Sequence, residues 1–228
     1  FGGYVYPPAQ SSNATEEYDG SSWTSVNNMS DARQSMSSFG TQTAAIAAAG
    51  YSRPTTTVLN TTLSYDGTNW TALSSPANVN TTRSGLAGSG TQTAGLATGG
   101  NSSPYKQTEE WDGSTWSEQN DMGTARFFGM YAGTQTAALI GGGYTGTSVS
   151  NTEEYDGSSW SEVNNMPAVN RLQAGFGVQT AAVSAAGQGS PGKWANVYHY
   201  DGTNWTSATA YPTAVEQMAG CGTQTAGL

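Results

Sequence analysis

The chain has 228 residues, a length that suits one large domain or two small ones. Its net charge is −9, and 10% of its residues are charged. Seven Trp, twelve Tyr and five Phe exclude a disordered chain, because disordered chains lack the aromatic side chains that form a core. The seven Lys and Arg form no basic patch and no apolar run is long enough to cross a bilayer, so we expect neither nucleic-acid binding nor membrane insertion.

Cysteine usage and the first residue add two further limits. Cys221 is the single cysteine, which excludes an intrachain disulfide and a cysteine-based metal site. The sequence begins with Phe rather than Met, so we expect either a processed protein or a piece of a longer one.

One pentapeptide recurs along the whole chain. Gly-Thr-Gln-Thr-Ala occupies 40–44, 90–94, 133–137 and 222–226, and Gly-Val-Gln-Thr-Ala occupies 177–181. A second motif, an aromatic residue followed by Asp-Gly-x-x-Trp, keeps step with it and ends at Trp23, Trp70, Trp116, Trp160 and Trp205. The steps between these tryptophans are 47, 46, 44 and 45 residues. Repetition at about 40–50 residues is typical of propeller blades and solenoid units.

The elements of one repeat follow in chain order after Arg171. The sequence predicts a first strand at 172–177, a tight turn at Gly177-Val178, and a second strand at 179–187. A third strand ends at 197–200, Asp201-Gly202 predicts a type I′ hairpin turn, and a fourth strand covers 204–209. Four antiparallel strands per repeat predict an all-β fold, a five-bladed β-propeller that forms one domain over residues 1–228. We expect the alanine-rich strand, such as 43–50, to lie near the axis.

The two ends of the chain complement each other. The last pentapeptide stops at Leu228 and lacks the glycine pair that follows in other copies, whereas the chain begins with Phe-Gly-Gly-Tyr. We therefore predict that the N- and C-terminal segments share one blade and close the ring, which leaves no exposed strand edge. A cut through a longer repeat array would leave the same junction.

The repeats resemble kelch repeats. The residues that carry the resemblance are Arg126, the glycines at 141–143, Tyr155-Asp156 and Trp160, and in the preceding repeat Arg83, Gly99-Gly100, Trp111-Asp112 and Trp116. The pattern departs at 48–50 and 185–187, which read Ala-Ala-Gly, and at Glu216, where other repeats carry Arg. The sequence of the repeats, from the pentapeptide through the glycine pair to the Tyr-Asp-Gly-x-x-Trp motif, is also similar to repeats in predicted tail and structural proteins of marine bacteriophages. The resemblance implies a propeller that binds partners.

Residues present in every repeat are expected to be architectural. The five motif tryptophans would pack between blades, the five aspartates would shape hairpins, and the alternative of aromatic ligand platforms is less favoured. Calcium binding at the carboxylates of 15–20 or 152–157 is disfavoured because side chains alternate faces along a strand. Arg33, Arg83, Arg126 and Arg171 precede the first strands and would either line the channel mouth as an anion site or, as we favour, bond carbonyls of the next blade.

No set of catalytic residues is apparent. His199 is the single histidine, no nucleophile elbow is present, and Cys221 stands where other repeats have Ser, Ala or Phe, so we expect it to be a small core residue. A pair of carboxylates brought together by the fold is not visible in a sequence. We expect a protein without enzymatic activity, cofactor or bound metal.

The segments between the second and third strands vary from repeat to repeat and carry aromatic residues. The candidate ligand-binding residues are Tyr4, Tyr6, Tyr51, Tyr105, Tyr144 and Trp194. Loops on a rigid scaffold often bind ligands, and tyrosine and tryptophan among Asn, Ser and Thr suit stacking on sugar rings.

We therefore predict a binding or adhesion module that presents these loops on one face to a glycan or a protein surface. An extracellular setting or a virion surface, for example a phage tail with other subunits as partners, fits the scarcity of lysine. A purely structural subunit of a larger particle or fibre, and a kelch-type protein-interaction adaptor, are the alternatives.

Overall fold

The computed structural model describes residues 1–7, 9–103 and 105–227. These residues form strands and turns, and none of them lies in a helix suited to crossing a bilayer. In chain order the strands are β1 (Tyr4–Val5), β2 (Gln10–Ser11), β3 (Thr15–Tyr18), β4 (Trp23–Val26), β5 (Ser37–Thr41), β6 (Ala44–Ser52), β7 (Thr57–Tyr65), β8 (Trp70–Ala72), β9 (Ala87–Thr91), β10 (Ala94–Thr98), β11 (Thr108–Trp111), β12 (Trp116–Gln119), β13 (Met130–Gly133), β14 (Ala138–Gly141), β15 (Thr152–Tyr155), β16 (Trp160–Val163), β17 (Ala174–Val178), β18 (Ala181–Ala185), β19 (Gln188–Gly189), β20 (Gly192–Lys193), β21 (Val197–Tyr200), β22 (Trp205–Ser207), β23 (Gly222–Thr223) and β24 (Ala226–Gly227).

Four sheets of four antiparallel strands form a β-propeller arrangement. We call them blade I (β5–β8), blade II (β9–β12), blade III (β13–β16) and blade IV (β17, β18, β21 and β22). In each blade the strands pair in chain order, as the hairpin pattern of the sequence predicts. The hairpins β1–β2 and β19–β20 lie in the loops that precede a third strand. The remaining hairpins, β3–β4 and β23–β24, come from the fifth copy of the motifs, which we call the split repeat.

The first strands surround a common axis. One cavity of about 530 Å³ is lined by the pentapeptide glycines of all five repeats, namely Gly40, Gly90, Gly133, Gly177 and Gly222. A second cavity, of about 460 Å³, lies where the same strands begin. The alanine-rich second strands, expected near the axis, are therefore the next strands outward and are buried within the blades.

The core lies between neighbouring blades. Phe39 of blade I packs with Trp111 and Trp116 of blade II, and Leu139 of blade III packs with Tyr200 of blade IV. Complete burial of a large apolar side chain contributes about 1.5–3 kcal/mol. The interfaces between blades, which repeat around the ring, therefore hold the fold together.

The pentapeptide and the motif tryptophan each bond the preceding blade. Gln135 Nε2 donates to Trp111 O at 2.9 Å, and Gln179 Nε2 donates to Tyr155 O at 2.8 Å. Gln92 and Gln224 make the equivalent bonds to Tyr65 O and Tyr200 O. Nε1 of Trp70, Trp116, Trp160 and Trp205 donates at 2.9–3.0 Å to a threonine of the preceding third strand, which is Thr15, Thr62, Thr108 and Thr152 respectively. The two repeated motifs thus supply the side chains that form the same interface between each pair of neighbouring repeats.

The turns differ in detail from the sequence prediction. Val178 pairs with Ala181, so the first turn is Gln179-Thr180 rather than Gly177-Val178. Gly177 lies within the strand with φ of 103°, and a Cβ there would overlap Ala181 O. The second turn spans four residues, with Asp201 N bonded to Asn204 O at 3.1 Å, and is not a two-residue type I′ turn. The aspartate carboxylate, which accepts from Thr203 N and Asn204 N, stabilises this longer turn.

The N-terminal residues complete part of the split repeat. Gly2 donates to Ala14 O and Gly3 donates to Arg33 O, both at 2.9 Å. The corresponding bonds of blade II join Gly99 to Gln107 O at 2.9 Å and Gly100 to Arg126 O at 3.2 Å. Residues 2–3 thus adopt the geometry of the glycine pair of a complete blade.

The two hairpins of the split repeat stay with different neighbours. β23–β24 contacts blade IV through Gln224, whereas β3 contacts blade I through Thr15. Within residues 1–7, 9–103 and 105–227, no pairing joins β24 to β3, and Leu228, the last residue of the predicted shared strand, lies outside the described residues. Trp23 is consequently 60% exposed, whereas Trp116 of blade II is 6% exposed.

Candidate functional site

A belt of four backbone hydrogen bonds joins successive repeats at one end of the channel. The residue two positions before the first strand of each complete blade, and Gln217 in the split repeat, have a left-handed φ of 53–73°; the former are Ser35, Gly85, Phe128 and Leu172. Four of these N–H groups donate to the carbonyl of the equivalent residue in the preceding repeat, from Gly85 to Ser35 (2.7 Å), Phe128 to Gly85 (3.1 Å), Leu172 to Phe128 (2.9 Å) and Gln217 to Leu172 (2.8 Å). Left-handed backbone at a non-glycine residue costs about 1–3 kcal/mol and needs such support. The belt therefore fixes the loops at this end, which we call the loop face.

The residues beside the belt vary between repeats although their backbone pairing is constant. An isolated antiparallel β-bridge joins Gln34 to Tyr51 in blade I, Phe127 to Tyr144 in blade III, and Arg171 to Gln188 in blade IV. In blade II, Asn101 N donates to Ser84 O at 2.8 Å. A constant backbone that carries variable side chains is the arrangement expected of a recognition surface.

Phe127, Tyr144 and Arg171 from these positions, together with Tyr105 of the blade II loop, lie side by side, and we call this group the aromatic row. The ring centroids of Tyr105 and Phe127 lie 6.4 Å apart, and those of Phe127 and Tyr144 lie 5.4 Å apart. The Arg171 guanidinium lies over the Tyr144 ring at 4.3 Å, a cation–π geometry. Tyr105 is 41% exposed, so the row offers aromatic surface to solvent. Such rings can stack on a sugar or pack on a peptide.

The predicted ligand-binding residues separate into two groups. Tyr105 and Tyr144 belong to the row, and Tyr4 lies beneath Arg53, whose guanidinium is 4.8 Å from the ring centroid. The ring contacts of the described residues link none of Tyr6, Tyr51 and Trp194 to the row. Tyr6 is 77% exposed, and Trp194 bridges Val215 and packs on Gly189.

The sequence interpretation missed Phe127, Phe128 and Arg171 as members of the site. They lie in the connection between blades rather than in the loop between the second and third strands. The available signal was the aromatic pair Phe127-Phe128, which replaces Gln34-Ser35 and Ser84-Gly85 of other repeats.

The cavity of about 460 Å³ opens at the centre of the loop face, and we call it the axial cavity. Every repeat contributes one residue from the position after the belt, namely Met36, Leu86, Gly129, Gln173 and Met218. Phe128 also lines the cavity, and its ring lies 4.9 Å from that of Phe127. The aromatic row and the axial cavity are therefore continuous.

The recurring arginines do not form a ring at the channel mouth. Arg33, Arg83 and Arg126 are fully buried and donate to carbonyls of the blade that follows them, for example from Arg83 to Gly99 O at 2.8 Å. The fourth arginine was assigned to the wrong position. Asn170, not Arg171, takes this place in blade IV and donates to Ala186 O at 2.7 Å.

The fifth repeat shows the same offset. Val215, rather than Glu216, accepts the bond from Gly187 N that Asn170 accepts from Gly143 N. Arg171 stands one residue after the buried position. Its side chain therefore lies on the loop face, where it joins the aromatic row.

The buried arginines are compensated by carboxylates, and Arg33 pairs with Asp31 of the connection that precedes blade I. Arg83 pairs with Glu109 at 2.6 Å, and Arg126 pairs with Glu153. Blade IV replaces the pair by the uncharged Asn170 and Tyr198 at the equivalent positions. Burial raises the pKa of Glu109, opposed by the charge of Arg83. These carboxylates are structural, because their partners are buried arginines and backbone N–H groups.

The remaining titratable groups serve structural bonds. Burial, together with a hydrogen bond to Glu17, raises the pKa of Tyr65 to about 12. Backbone N–H groups of Ser159 and Ser158 lower the pKa of Asp156 to about 2. No group of three or more His, Cys, Asp or Glu that could hold a metal ion occurs among the described residues. His199 lies within β21, and Cys221 is an exposed free thiol.

Comparison with known proteins supports the fold alone. No protein-family model matches the chain, and no curated protein matches it. A solved structure titled "Structure of YjhT" matches with a TM-score of 0.77 and 11% sequence identity over 92% of this chain and 81% of that chain. At this identity the likeness shows a β-propeller of repeated blades.

Proposed function

We propose that the protein is a non-enzymatic binding module that recognises a glycan on its loop face. The observation that carries the proposal is the aromatic row, in which Tyr105, Phe127 and Tyr144 form a continuous surface and Arg171 covers one end. Aromatic rings provide large contact area at low entropic cost, and sugar rings present C–H faces that pack on them. A protein surface is the alternative ligand.

The setting we propose is extracellular or on a virion surface, such as a phage tail assembly. The net charge of −9 and the low share of charged residues fit a particle surface better than nucleic-acid or membrane contact. A structural subunit without a ligand is the competing function, which the binding assay below distinguishes.

We also propose that the ring is a five-bladed, kelch-like propeller in which β24 pairs with β3. The pairing of Gly95 with Trp111 in blade II gives the expected register, Gly227 opposite Tyr18. Hydrogen exchange offers a matched comparison because β3 (Thr-Glu-Glu-Tyr) and β11 (Thr-Glu-Glu-Trp) have nearly the same sequence. Equal protection of both segments would support the closed ring, and faster exchange in β3 alone would contradict it.

The glycan proposal is tested with variants that borrow residues from other repeats. Phe127→Ser copies blade II, Tyr144→Asn copies blade II, and Arg171→Gln copies blade I, so each variant keeps a side chain that the fold already accepts. We expect the wild-type protein to bind on a glycan array, and Phe127→Ser and Tyr144→Asn each to weaken binding about tenfold or more, as loss of an aromatic anchor does.

Tyr211→Ala is the matched control, since Tyr211 is 43% exposed and makes no ring contact with the row among the described residues. Binding that survives all row variants but fails in Tyr211→Ala would overturn the site. Absence of any binding on the array would favour the structural subunit.

A further inference from the structure

The axial cavity adjoins the aromatic row at a single shared element. Phe127 belongs to the row, Phe128 lines the cavity, and their rings meet edge to face at 4.9 Å. The left-handed φ of 59° at Phe128, held by its N–H bond to Gly85 O, directs the two adjacent side chains differently. A ligand that lies along the row therefore reaches the cavity at one of its ends.

The cavity has the size of a small-ligand site. Its volume of about 460 Å³ lies within the range of about 300–1,000 Å³ that is typical for such sites. The first strands approach each other closely below it, since a Cβ on Gly175 would overlap the backbone of Tyr131, and Ser38 lines both this cavity and the cavity of about 530 Å³. The cavity opens on the loop face and its lining extends to Ser38 on a first strand, so a glycan that lies along the row can enter it by one end but not by its middle.

The lining is apolar with neutral polar groups. Met36, Leu86, Leu172 and Met218 supply apolar surface, and Ser38 and Gln173 supply hydrogen-bonding groups. Gln173 is 6% exposed, its Nε2 donates to Gly141 O at 2.9 Å, and its Oε1 has no donor among the described residues. A buried acceptor without a donor costs about 1–3 kcal/mol, so a ligand hydroxyl that reaches this wall is favoured.

Charge favours an uncharged ligand. Arg53 is the one charged side chain among the residues that line the cavity, and its guanidinium already lies over the Tyr4 ring. The net charge of −9 disfavours the approach of polyanions. An acidic glycan therefore gains little here.

We propose, resting on the glycan-binding function above, that the protein recognises chain ends: a neutral terminal sugar enters the axial cavity while the following sugars lie along the aromatic row. The terminal sugar donates a hydroxyl to Gln173 and packs on Phe128. Recognition of this kind selects glycans by their free ends, whereas a row alone would bind internal stretches equally well.

The test uses Ser38→Trp, Gln173→Met and a pair of glycan probes. Ser38 is exposed in the cavity, so tryptophan there fills the space without replacing a core residue. Gln173→Met copies the residue found at the equivalent position as Met36 and Met218. The probes are maltohexaose and laminarihexaose immobilised through their reducing ends, each compared with the same oligosaccharide O-methylated on its terminal non-reducing sugar, together with any neutral glycan bound on the array.

We expect Ser38→Trp and terminal methylation each to reduce affinity at least tenfold, and Gln173→Met to reduce it about fivefold or more, consistent with loss of one buried hydrogen bond. Retained affinity in Ser38→Trp and for the end-blocked glycan, with loss in Phe127→Ser, would overturn the chain-end proposal and leave the row as the binding site. Loss of affinity in none of the variants would overturn both. Circular dichroism and melting temperature check that each variant is folded.

Discussion

Gly95→Ala is the substitution that tests how the blades stack. Gly95 lies in the second strand of blade II, directly against the Phe39 ring of blade I, and a Cβ at Gly95 would overlap the Phe39 ring carbons. Phe39 is 8% exposed and packs edge to face on Trp116 at 6.1 Å, so the ring has little room to retreat. In the absence of a clash, alanine would be better than glycine in a strand by about 0.5–1 kcal/mol.

We expect Gly95→Ala to destabilise the protein, because overpacking a close-packed interface costs about 1–3 kcal/mol. For a protein of this size, 1 kcal/mol shifts the melting temperature by about 2–4 °C. Thermal unfolding followed by circular dichroism should therefore show a decrease of roughly 2–12 °C.

The double variant Phe39→Ala/Gly95→Ala supplies the control. It copies the contact of Ala132 with Ala182 between blades III and IV, where both side chains are buried. Phe39→Ala alone leaves a cavity and costs about 3–5 kcal/mol, but in that background Gly95→Ala should stabilise the protein. A decrease of the same size in both backgrounds would refute the reasoning, because the cost would then not come from the Phe39 ring.

Three further predictions concern charged and titratable groups. Arg83→Asn should destabilise by about 3–5 kcal/mol because it leaves Glu109 buried without its partner, and Arg83→Asn/Glu109→Tyr, which copies blade IV, should recover most of the loss in urea unfolding. The raised pKa of Tyr65, about 12, means that its contribution is complete below the ordinary value near 10 and is lost as pH rises through 12, so melting temperature should fall over that window and Tyr65→Phe should reduce the fall. The lowered pKa of Asp156, about 2, contributes stability above its ordinary value that is lost as pH falls through 2, so melting temperature should fall between about pH 4 and 2 and less steeply in Asp156→Asn.

The repeated part of the fold could be predicted because each repeat must make the same interface. Trp116, Gln135 and their equivalents recur at a fixed spacing since each bonds the preceding blade, and the period of the letters therefore gives the period of the blades. The sequence predicts the first turn at Gly177-Val178 rather than at Gln179-Thr180, because glycine is typical of turns, whereas Gly177 occupies a twisted strand position with positive φ.

The site was harder to predict because it combines residues from different repeats. Tyr105 and Phe127 belong to loops that are adjacent only across a blade interface, so no local pattern joins them. Arg171 was read as a copy of Arg126, but the buried position had passed to Asn170, and a one-residue offset is invisible without the hydrogen bond to Ala186 O. Residues identical in every repeat form the scaffold, whereas the site is built from positions where the repeats differ.

Blade contacts also vary in a compensated manner, and this bears on the split repeat. A phenylalanine in the first strand of one repeat lies against a glycine in the second strand of the next. The pairs are Phe39 with Gly95 and Phe176 with Gly227. Where the first residue is small, the second is alanine, as in the pairs Ser89 with Ala138 and Ala132 with Ala182.

The same rule predicts the one remaining interface. In the split repeat the strand-one residue is Cys221. The residue of blade I that would face it, at the position equivalent to Gly95, is Ala45, so a small residue again stands opposite alanine. Both line the cavity that contains all five pentapeptide glycines. The sequence of the split repeat is thus matched to blade I as closely as the other repeats are matched to each other. A match of this kind is what the proposed ring of five blades requires.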